Sequence, residues 1–224
     1  AVALAYTSRI MLFEGTWQKY NEKNTAKAAT YLQAAKDAAN QLMSMGAYSL
    51  TPNFKDLTTS VSLAGNPEII VYREYEEGIL MHSLMSFQNT EAEGSSPSRS
   101  LVESYLSANG LPIHQAENTQ YKGDKWFFDE FADRDPRLYD NIDPAGLRIE
   151  GSGVVAYAAT GYFAHLFVNP SLLNVPGGMS STNITDAPVM KYNEVLMNYI
   201  EAAAELADMG AYTLTQSDFD KTIN

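Results

Sequence analysis

Large apolar side chains recur at helical spacing at the start of the chain. They lie three or four positions apart over residues 1–20 and form one stripe, which consists of Val2, Tyr6, Ile10, Phe13 and Trp17. A second, narrower face carries smaller residues, namely Ala5, Ser8, Leu12 and Gly15. Because positions three and four apart share a helix face, the pattern predicts a helix whose narrow side lets another helix approach closely.

A second helix follows the polar link from Asn21 to Asn24 and ends at Gly46. Its predicted apolar side consists of Tyr31, Ala34, Ala38, Leu42 and Met45. Glycine at the end of such a stretch adopts the left-handed conformation that terminates helices. Two antiparallel helices of this length and alanine content are typical of one tetratricopeptide-like unit.

The sequence at the end of this second helix occurs again near the end of the chain. The segment from Met45 to Thr51 is nearly identical to the segment from Met209 to Thr215. A third long helix is therefore predicted from just after Pro188 to Gly210, with an apolar stripe of Tyr192, Leu196, Tyr199, Ala203 and Leu206. Two matching helix ends so far apart predict a helical repeat protein with a long insertion.

A further helix is predicted to begin at Ser217, with Ser217 as its cap and Asp218 and Asp220 in its first turn. The segment from Phe219 to Asn224 carries no stop signal, and residue 1 already lies within the first helical pattern. We therefore expect the chain to be a segment of a longer protein.

Residues 51–186 form the insertion, which is predicted to be mostly irregular. Its predicted features are an extended segment at 68–73, a polar loop at 88–100, short helices at 101–106 and 126–131, a turn at 134–138 and a long loop at 169–186. The predicted fold is mainly α, with a helical repeat unit at 1–50, the insertion at 51–186 and a second, truncated unit at 187–224.

Composition narrows the range of partners. The chain has 27 acidic and 15 basic residues and a formal net charge of −12. This charge repels phosphate backbones, so we expect no nucleic acid partner. Cysteine is absent, which excludes disulfides and thiolate chemistry. No stretch approaches the roughly 20 consecutive apolar residues of a membrane span.

Few residues point to catalysis, a cofactor or a metal. His82, His114 and His165 are isolated, without a second histidine at metal-binding spacing, and are interpreted as structural or surface residues. The segment from Gly151 to Ala156 superficially resembles a dinucleotide glycine motif, but no strand and helix unit surrounds it, so a tight hairpin is predicted. We expect no cofactor and no metal.

An acidic group in the insertion has two interpretations. Its members are Asp124, Asp129, Glu130, Asp133, Asp135, Asp140 and Asp143. Carboxylates of this kind can bind calcium or serve as the catalytic pair of a glycosidase. Arg134 and Arg137 lie among them, however, which favours internal ion pairs that hold a turn.

Aromatic residues are more informative about a ligand, since the chain has 14 Tyr, 9 Phe and 2 Trp. A flat ring in a loop, beside amides or carboxylates, is typical of sugar binding, because the apolar face of the sugar lies on the ring and its hydroxyls are bonded at the edge. Six candidates lie outside the helix stripes, namely Tyr75, His82, Trp126, Tyr157, Tyr162 and Phe163. Core packing is the alternative role for each, and it is favoured for Trp126.

Several segments in fixed order carry a family resemblance. They are Arg9 to Trp17, Asn66 to Ile70 leading into Arg73-Glu74-Tyr75, Ser104-Tyr105-Leu106 with Asn109 to Ile113, Arg134 to Leu138, and Pro188 to Tyr199. In this order they resemble the SusD/RagB family of nutrient-binding outer-membrane lipoproteins of Bacteroidetes. The likeness runs along the whole chain.

This resemblance implies an all-helical, SusD-like α-α superhelix built on tetratricopeptide-like repeats and tethered to the cell surface by lipid. Such proteins cap a TonB-dependent transporter of the SusC type, pass captured glycans or other nutrients to it, and do not catalyse. The matched segments are structural in the family, whose ligand residues sit in variable loops. None of the six candidates is therefore taken from the family.

Two other functions remain open at this point. The first is a glycoside hydrolase that uses two of the carboxylates between Asp124 and Asp143. The second is a repeat scaffold whose concave face holds a protein helix. Surface glycan binding is the function that we expect.

Overall fold

The computed structural model describes residues 1–84, 96–142, 158–172, 175–178 and 181–223. The described part is mainly helical, as the sequence predicts. In chain order, its elements are α1 (Val2–Tyr20), α2 (Thr25–Ser44), α3 (Asp56–Thr59), β1 (Ile69–Arg73), α4 (Arg99–Ser104), α5 (Phe127–Phe131), α6 (Pro136–Asn141), a 3-10 turn (Pro170–Leu172), β2 (Ala187–Lys191), α7 (Tyr192–Asp208) and α8 (Gln216–Asp220).

The chain divides into two compact units. The first consists of Ala1–Pro52, Ala64–Arg73 and Pro188–Asn224, and the second of Asn53–Leu63 and Glu74–Ala187. The long helices α1, α2 and α7 form the core of the first unit, with Leu32, Leu42 and Leu206 among its most buried side chains.

The narrow face of α1 packs inward, as predicted. Ala5, Ser8, Leu12 and Gly15 are its buried residues. A Cβ atom on Gly15 would lie only 2.7 Å from Cγ of Leu32, so α1 and α2 are in close backbone contact here. The wide stripe of α1 faces outward instead, since the exposed fractions of Val2, Ile10, Phe13 and Trp17 are 47, 54, 66 and 45%.

The buried face of α2 matches the predicted one only at Ala38 and Leu42. It is formed by Ala28, Leu32, Ala35, Ala38, Ala39 and Leu42. Tyr31 and Ala34 are only half-buried, and Met45 is 50% exposed. The prediction placed the stripe one position too early because alanine, which surrounds the close contact, gives no large apolar signal. The helix end itself is confirmed, because Gly46 has φ +61° and its repeat Gly210 has φ +70°.

The third long helix begins later than predicted. Residues 187–191 form β2, which pairs with β1 in a two-stranded sheet, and α7 starts at Tyr192. The backbone N–H of Tyr192 donates to the carbonyl of Glu68, at 2.8 Å. Strand pairing therefore overrides the helical continuation that Pro188 suggested. The extended segment predicted at 68–73 is confirmed as β1.

Polar contacts join α1 to α7. Arg9 pairs with Glu194 at 2.5 Å, and its Nη2 donates to the carbonyl of Val189 at 3.1 Å. Lys19 pairs with Glu205 at 2.5 Å. These pairs fix the relative position of the two helices along their length, while the small residues between them set the distance.

The last helix, α8, is capped by Thr215 and not by Ser217 as predicted. Thr215 and Asp218 form a capping box, in which each side chain bonds the other residue's backbone. The carboxylate of Asp218 is buried and also accepts from the hydroxyls of Tyr199 and Tyr212, at 2.7 and 3.0 Å. Burial alone would raise the pKa of Asp218, but the bonds from Tyr199, Thr215 and Tyr212 together hold it well below its usual range.

The second unit contains short helices joined by loops. Its α4 runs from Arg99 to Ser104, two residues earlier than predicted, because Ser98 caps it and accepts from the N–H of Leu101. The turn predicted at 134–138 is the start of α6, which Asp135 caps and Pro136 opens. The short helix predicted at 126–131 is confirmed as α5.

Gly15→Ala is expected to destabilise the first unit by about 1–3 kcal/mol, because the added methyl group meets Leu32. In an open helix the same change would stabilise by up to about 1 kcal/mol. Urea unfolding followed by Trp17 fluorescence, in a Trp126→Phe background, measures the effect. The double variant Gly15→Ala/Leu32→Ala should lose less stability than the sum of the single changes, and strict additivity would contradict the contact.

Asp218→Asn is expected to reduce the acid sensitivity of the first unit. The folded-state pKa of Asp218 lies below the unfolded value of about 3.9, so its stabilisation is complete above that value and is lost as the pH falls through the folded pKa. Melting curves between about pH 5 and pH 2 should show a smaller decline for Asp218→Asn than for the parent. Asp208→Asn, at an exposed ion pair, is the control and should keep the parental slope.

Candidate ligand-binding site

A cleft opens in the second unit between α4, α6 and residues 164–166. We call it the Tyr105 cleft, and it has two adjoining compartments. The apolar compartment has a volume of about 320 Å³ and is lined by Pro97, Leu101, Tyr105, Asn141, Ile142, Ala164 and Leu166. The polar compartment has a volume of about 260 Å³ and is lined by Leu101, Ser104, Tyr105, Leu106, Asp135 and Arg137. Leu101 and Tyr105 therefore belong to both.

Arg134 holds the floor of this region in place. Its side chain is 3% exposed. Its guanidinium donates to three backbone carbonyls, those of Glu130 at 2.8 Å, Val102 at 2.7 Å and Tyr105 at 2.8 Å. Burial lowers the pKa of Arg134, while the carbonyls at the end of α4 offset the cost of burying its charge. The chain around Tyr105 is thereby tied to the end of α5.

The phenol of Tyr105 lies where the two compartments meet. Its oxygen accepts a hydrogen bond from Nδ2 of Asn141, at 2.7 Å. Burial raises the pKa of Tyr105, so the phenol is neutral at physiological pH. Within the described ranges, its O–H has no acceptor of its own and can donate to a ligand.

The wall opposite α4 is built by backbone pairing. Ile142 and Ala164 form an antiparallel bridge, and the N–H of His165 donates to the carbonyl of Asn141 at 2.7 Å. On the near side, the hydroxyl of Thr160 donates to the carbonyl of Pro97 at 2.6 Å. Main-chain pairing and one bond from a threonine side chain therefore position the apolar residues of the cleft.

The charges of the polar compartment are balanced. Arg137 Nε donates to both carboxylate oxygens of Asp135, at 3.0 and 3.1 Å. The side-chain bond from Arg137 holds the pKa of Asp135 below its usual range, despite partial burial. The same pair raises the pKa of Arg137. The pair stays ionised but presents no net charge, so this compartment favours neutral hydroxyl groups over ions.

Comparison with known proteins agrees with this architecture. The sequence model of the SusD family (SusD_RagB) matches residues 82–221, which is more than half of the chain. The chain belongs to the SusD family. This result confirms the resemblance on which the sequence prediction rests. No curated protein matches the chain significantly.

Two solved structures show the same SusD-like fold. One is a SusD superfamily protein of Parabacteroides distasonis, with 14% identity and a TM-score of 0.55 over 97% of this chain. The other is a SusD-like protein of Bacteroides fragilis, with 14% identity and a TM-score of 0.62 over 98% of this chain. The chain spans 41 and 44% of the length of these two structures.

The five predicted residues that the structure describes fall in separate places in this SusD-family chain. Tyr75 and His82 lie together, with ring centroids 4.6 Å apart and an edge-on arrangement. Nε2 of His82 lies 2.9 Å from the carbonyl oxygen of Thr185, and burial lowers the pKa of His82. The imidazole of His82 therefore forms an internal contact between segments that are distant in sequence. Whether the pair also touches a ligand stays a prediction.

Tyr162 and Phe163 lie near α5 but differ in exposure. The hydroxyl of Tyr162 donates to the buried carboxylate of Glu130, at 2.8 Å, and its ring lies near Phe127 and Phe131. Phe163 is 8% exposed and packs against Ala158. Protein therefore covers most of the Phe163 ring. Tyr157 lies outside the described residues.

Trp126 is the most accessible of the five candidates that the structure describes. It is 65% exposed, and its neighbour Phe128 is 70% exposed. Lys125 lies over the indole, with Nζ 5.9 Å from the ring centroid. Core packing was the favoured role of Trp126 from the sequence, and its exposure contradicts that preference. It leaves the ring available for stacking on a ligand.

The acidic residues of the insertion are mostly engaged in internal contacts. Asp124 pairs with Arg99, Asp133 pairs with Lys122 at 3.0 Å, and Asp135 caps α6. Within the described ranges, no group of three or more His, Asp or Glu side chains is arranged to hold a metal ion. Asp143 lies outside those ranges. The predicted ion pair at the turn is confirmed for Asp135, which pairs with Arg137. Asp124 and Asp133 pair outside the turn, and Arg134 donates to main-chain carbonyls.

Sequence reasoning missed Tyr105 and Asn141 as functional candidates. Tyr105 stands in one of the segments that carried the family resemblance, and it was counted as structural for that reason. The sequence feature that points to Tyr105 is an aromatic residue directly after a short capped helix. Asn141 gave no signal, because only the folded chain brings it to Tyr105.

Among the described helices, none is both long and apolar enough to cross a membrane.

Arg134→Lys is expected to destabilise the second unit by roughly 2–3 kcal/mol. One ammonium group cannot reach three carbonyls in different segments, so buried acceptors lose their donor. Trp126 fluorescence in a Trp17→Phe background, measured during urea unfolding, reports on this unit. Arg137→Lys is the matched control. The Arg137 side chain is 62% exposed and a lysine can still pair with Asp135, so stability should change by about 0.5 kcal/mol or less. Equal effects of the two changes would contradict the role of Arg134.

Proposed function

We propose that this chain is the glycan-binding part of a cell-surface protein that delivers oligosaccharide or polysaccharide to a SusC-like, TonB-dependent outer-membrane transporter. Membership of the SusD family supports the general role, since SusD-like proteins bind carbohydrate and do not catalyse. Attachment to the outer membrane by a lipid anchor is typical of the family and is part of the same proposal.

The observation that carries the proposal is the composition of the Tyr105 cleft. An aromatic ring and an aliphatic wall adjoin an amide, a hydroxyl and a charge-balanced pair. A pyranose has the complementary character, with apolar C–H groups on its faces and hydroxyl groups at its edge. Binding sites for small neutral ligands combine a mainly apolar lining with a few convergent polar groups in this way.

Charge also favours a neutral glycan. The chain carries a net charge of −12, which disfavours polyanionic ligands through long-range repulsion. In the polar compartment the guanidinium of Arg137 is already paired with Asp135. Hydroxyl groups can bond to both members of this pair without separating them.

Trp126 extends the proposed site as an outer stacking surface. Asp124, two residues before it, pairs with Arg99 at the start of α4, the helix that also supplies Leu101 and Ser104. A polysaccharide is longer than the cleft, so an exposed ring on the same unit suits a second sugar residue. The roles of Tyr75, His82, Tyr157, Tyr162 and Phe163 in binding stay predictions.

The glycosidase alternative has less support. A catalytic acid needs a raised pKa, whereas Arg137 holds the pKa of Asp135 low and Asp124 is paired with Arg99. Glu130 accepts a bond from Tyr162 at a buried position. The repeat-scaffold alternative has one observation in its favour, the exposed apolar stripe of α1, and it stays a prediction.

Calorimetric titration of the full-length protein with a panel of soluble neutral polysaccharides tests the proposal. We expect heat of binding without new reducing ends, because the protein binds and does not cleave. Tyr105→Ala should weaken binding by roughly tenfold, or about 1.4 kcal/mol. The control is Tyr31→Ala, on α2 in the other unit, which should leave affinity unchanged.

Three results would contradict the proposal. New reducing ends, lost in Asp129→Asn or Asp135→Asn, would establish an enzyme. Binding that is unaffected by Tyr105→Ala would move the site away from the cleft. Absence of heat with every polysaccharide would reject glycan as the ligand of this protein.

A further inference from the structure

The two compartments of the Tyr105 cleft differ sharply in character although they share a wall. Apart from Asn141, the residues that only the apolar compartment contains are Pro97, Ile142, Ala164 and Leu166. The residues that only the polar compartment contains are Ser104, Leu106, Asp135 and Arg137. A plain hexose carries a hydroxyl on each of ring carbons 1 to 4, so a hexose whose edge enters the apolar compartment would place hydroxyl groups against the aliphatic wall. Those hydroxyls would lose water without gaining a partner, which is unfavourable.

We propose that this cleft selects sugars that carry an N-acetyl group. The acetyl methyl group occupies the apolar compartment, and the ring hydroxyls lie in the polar compartment. This inference rests on the proposed function and deepens it, because it names the class of sugar that the site prefers.

The hydroxyl of Tyr105 is the donor that recognises the carbonyl of the acetamido group. Its oxygen already accepts from Nδ2 of Asn141 at 2.7 Å, so its remaining hydrogen-bonding capacity is the O–H proton. In the part of the chain that the structure describes, no acceptor takes that proton. A carbonyl oxygen at the boundary between the compartments completes the phenol's bonding. An acetamido group has this carbonyl directly beside its methyl group.

The cleft requires both an apolar group and a neutral acceptor, and this requirement distinguishes an acetamido sugar from 6-deoxy and acidic sugars. A 6-deoxy sugar fills an apolar space with its methyl but has no carbonyl to accept from Tyr105. An acidic sugar offers an acceptor but brings a negative charge to a compartment whose one guanidinium, that of Arg137, is paired with Asp135. The acetamido group is neutral and has both the apolar and the acceptor function.

The acetyl methyl group determines how strongly the cleft should prefer an acetamido sugar over a plain hexose. One methyl or methylene group in a fitted apolar pocket discriminates by about tenfold or more. A hydroxyl in the same place can accept from the Tyr105 O–H, but its own proton would lie against the aliphatic wall without an acceptor. We therefore expect N-acetylhexosamines to bind at least about tenfold more tightly than the hexoses from which they differ only at carbon 2.

Saturation-transfer NMR on the full-length protein tests this inference with matched pairs. The pairs are N-acetylglucosamine with glucose and N-acetylgalactosamine with galactose, and fucose represents the 6-deoxy sugars. We expect the strongest saturation at the acetyl methyl protons, and affinities at least about tenfold higher for the acetamido member of each pair. Fucose should bind no better than galactose.

Two variants locate the effect in the cleft. Tyr105→Phe keeps the ring and removes the O–H, so the preference for acetamido sugars should fall severalfold. Leu101→Asn makes the shared wall polar and should reduce saturation of the acetyl methyl. Their controls are Tyr31→Phe and Leu50→Asn, because Tyr31 lies in α2 and Leu50 is exposed to a similar degree as Leu101, at 53 and 47%. Circular dichroism confirms that each variant is folded.

Each outcome decides the question. A preference that Tyr105→Phe and Leu101→Asn reduce and the controls keep supports the inference. Equal binding of both members of each pair overturns the inference and leaves glycan binding in place. A preference that survives both cleft variants also overturns it. If neither the matched sugars nor the polysaccharide panel bind, the inference and the proposed function fail together.

Discussion

The candidate site depends on one buried guanidinium. Arg134 donates to carbonyls of Val102 and Tyr105 at the end of α4 and to that of Glu130 in α5. A lysine cannot replace this geometry, because its donors radiate from a single atom. The short helices of the second unit share a buried apolar cluster of Val102, Phe131, Leu138 and Ile142. The bonds of Arg134 add a fixed main-chain geometry between α4 and α5. The position of Tyr105, and therefore the boundary between the two compartments, follows from Arg134.

Asp135, which follows Arg134, has two tasks. It caps α6 through the N–H of Arg137, and it pairs with the side chain of the same residue. The first contact starts a helix that carries Leu138 into the core and Asn141 to the cleft. The second leaves the polar compartment ionised but without net charge. The segment from Arg134 to Asn141 thus builds the unit and lines its cleft.

The first unit is held by contacts of another kind. Small residues on α1 and α2 let the backbones approach closely at Gly15 and Leu32, and long-range ion pairs such as Arg9 with Glu194 fix α1 against α7. Dispersion between closely packed backbones depends on shape, so we expect this core to tolerate little change in volume. In the outward stripe of α1, Phe13 and Trp17 are exposed, whereas Tyr6 packs against this core.

The sequence by itself determined the long helices, their glycine ends at Gly46 and Gly210, the narrow face of α1 and the membership of the SusD family. These properties are local or depend on the order of segments, so they are visible along the chain. Only the tertiary structure decided that residues 187–191 pair as a strand with β1, that Thr215 caps α8, and that Tyr105 meets Asn141. Each of these depends on a partner distant in sequence or on competition between neighbouring residues. The aromatic candidates show the same limit, because exposed Trp126 and buried Phe163 each stand beside another aromatic residue in the sequence, and the fold decides which of them is covered.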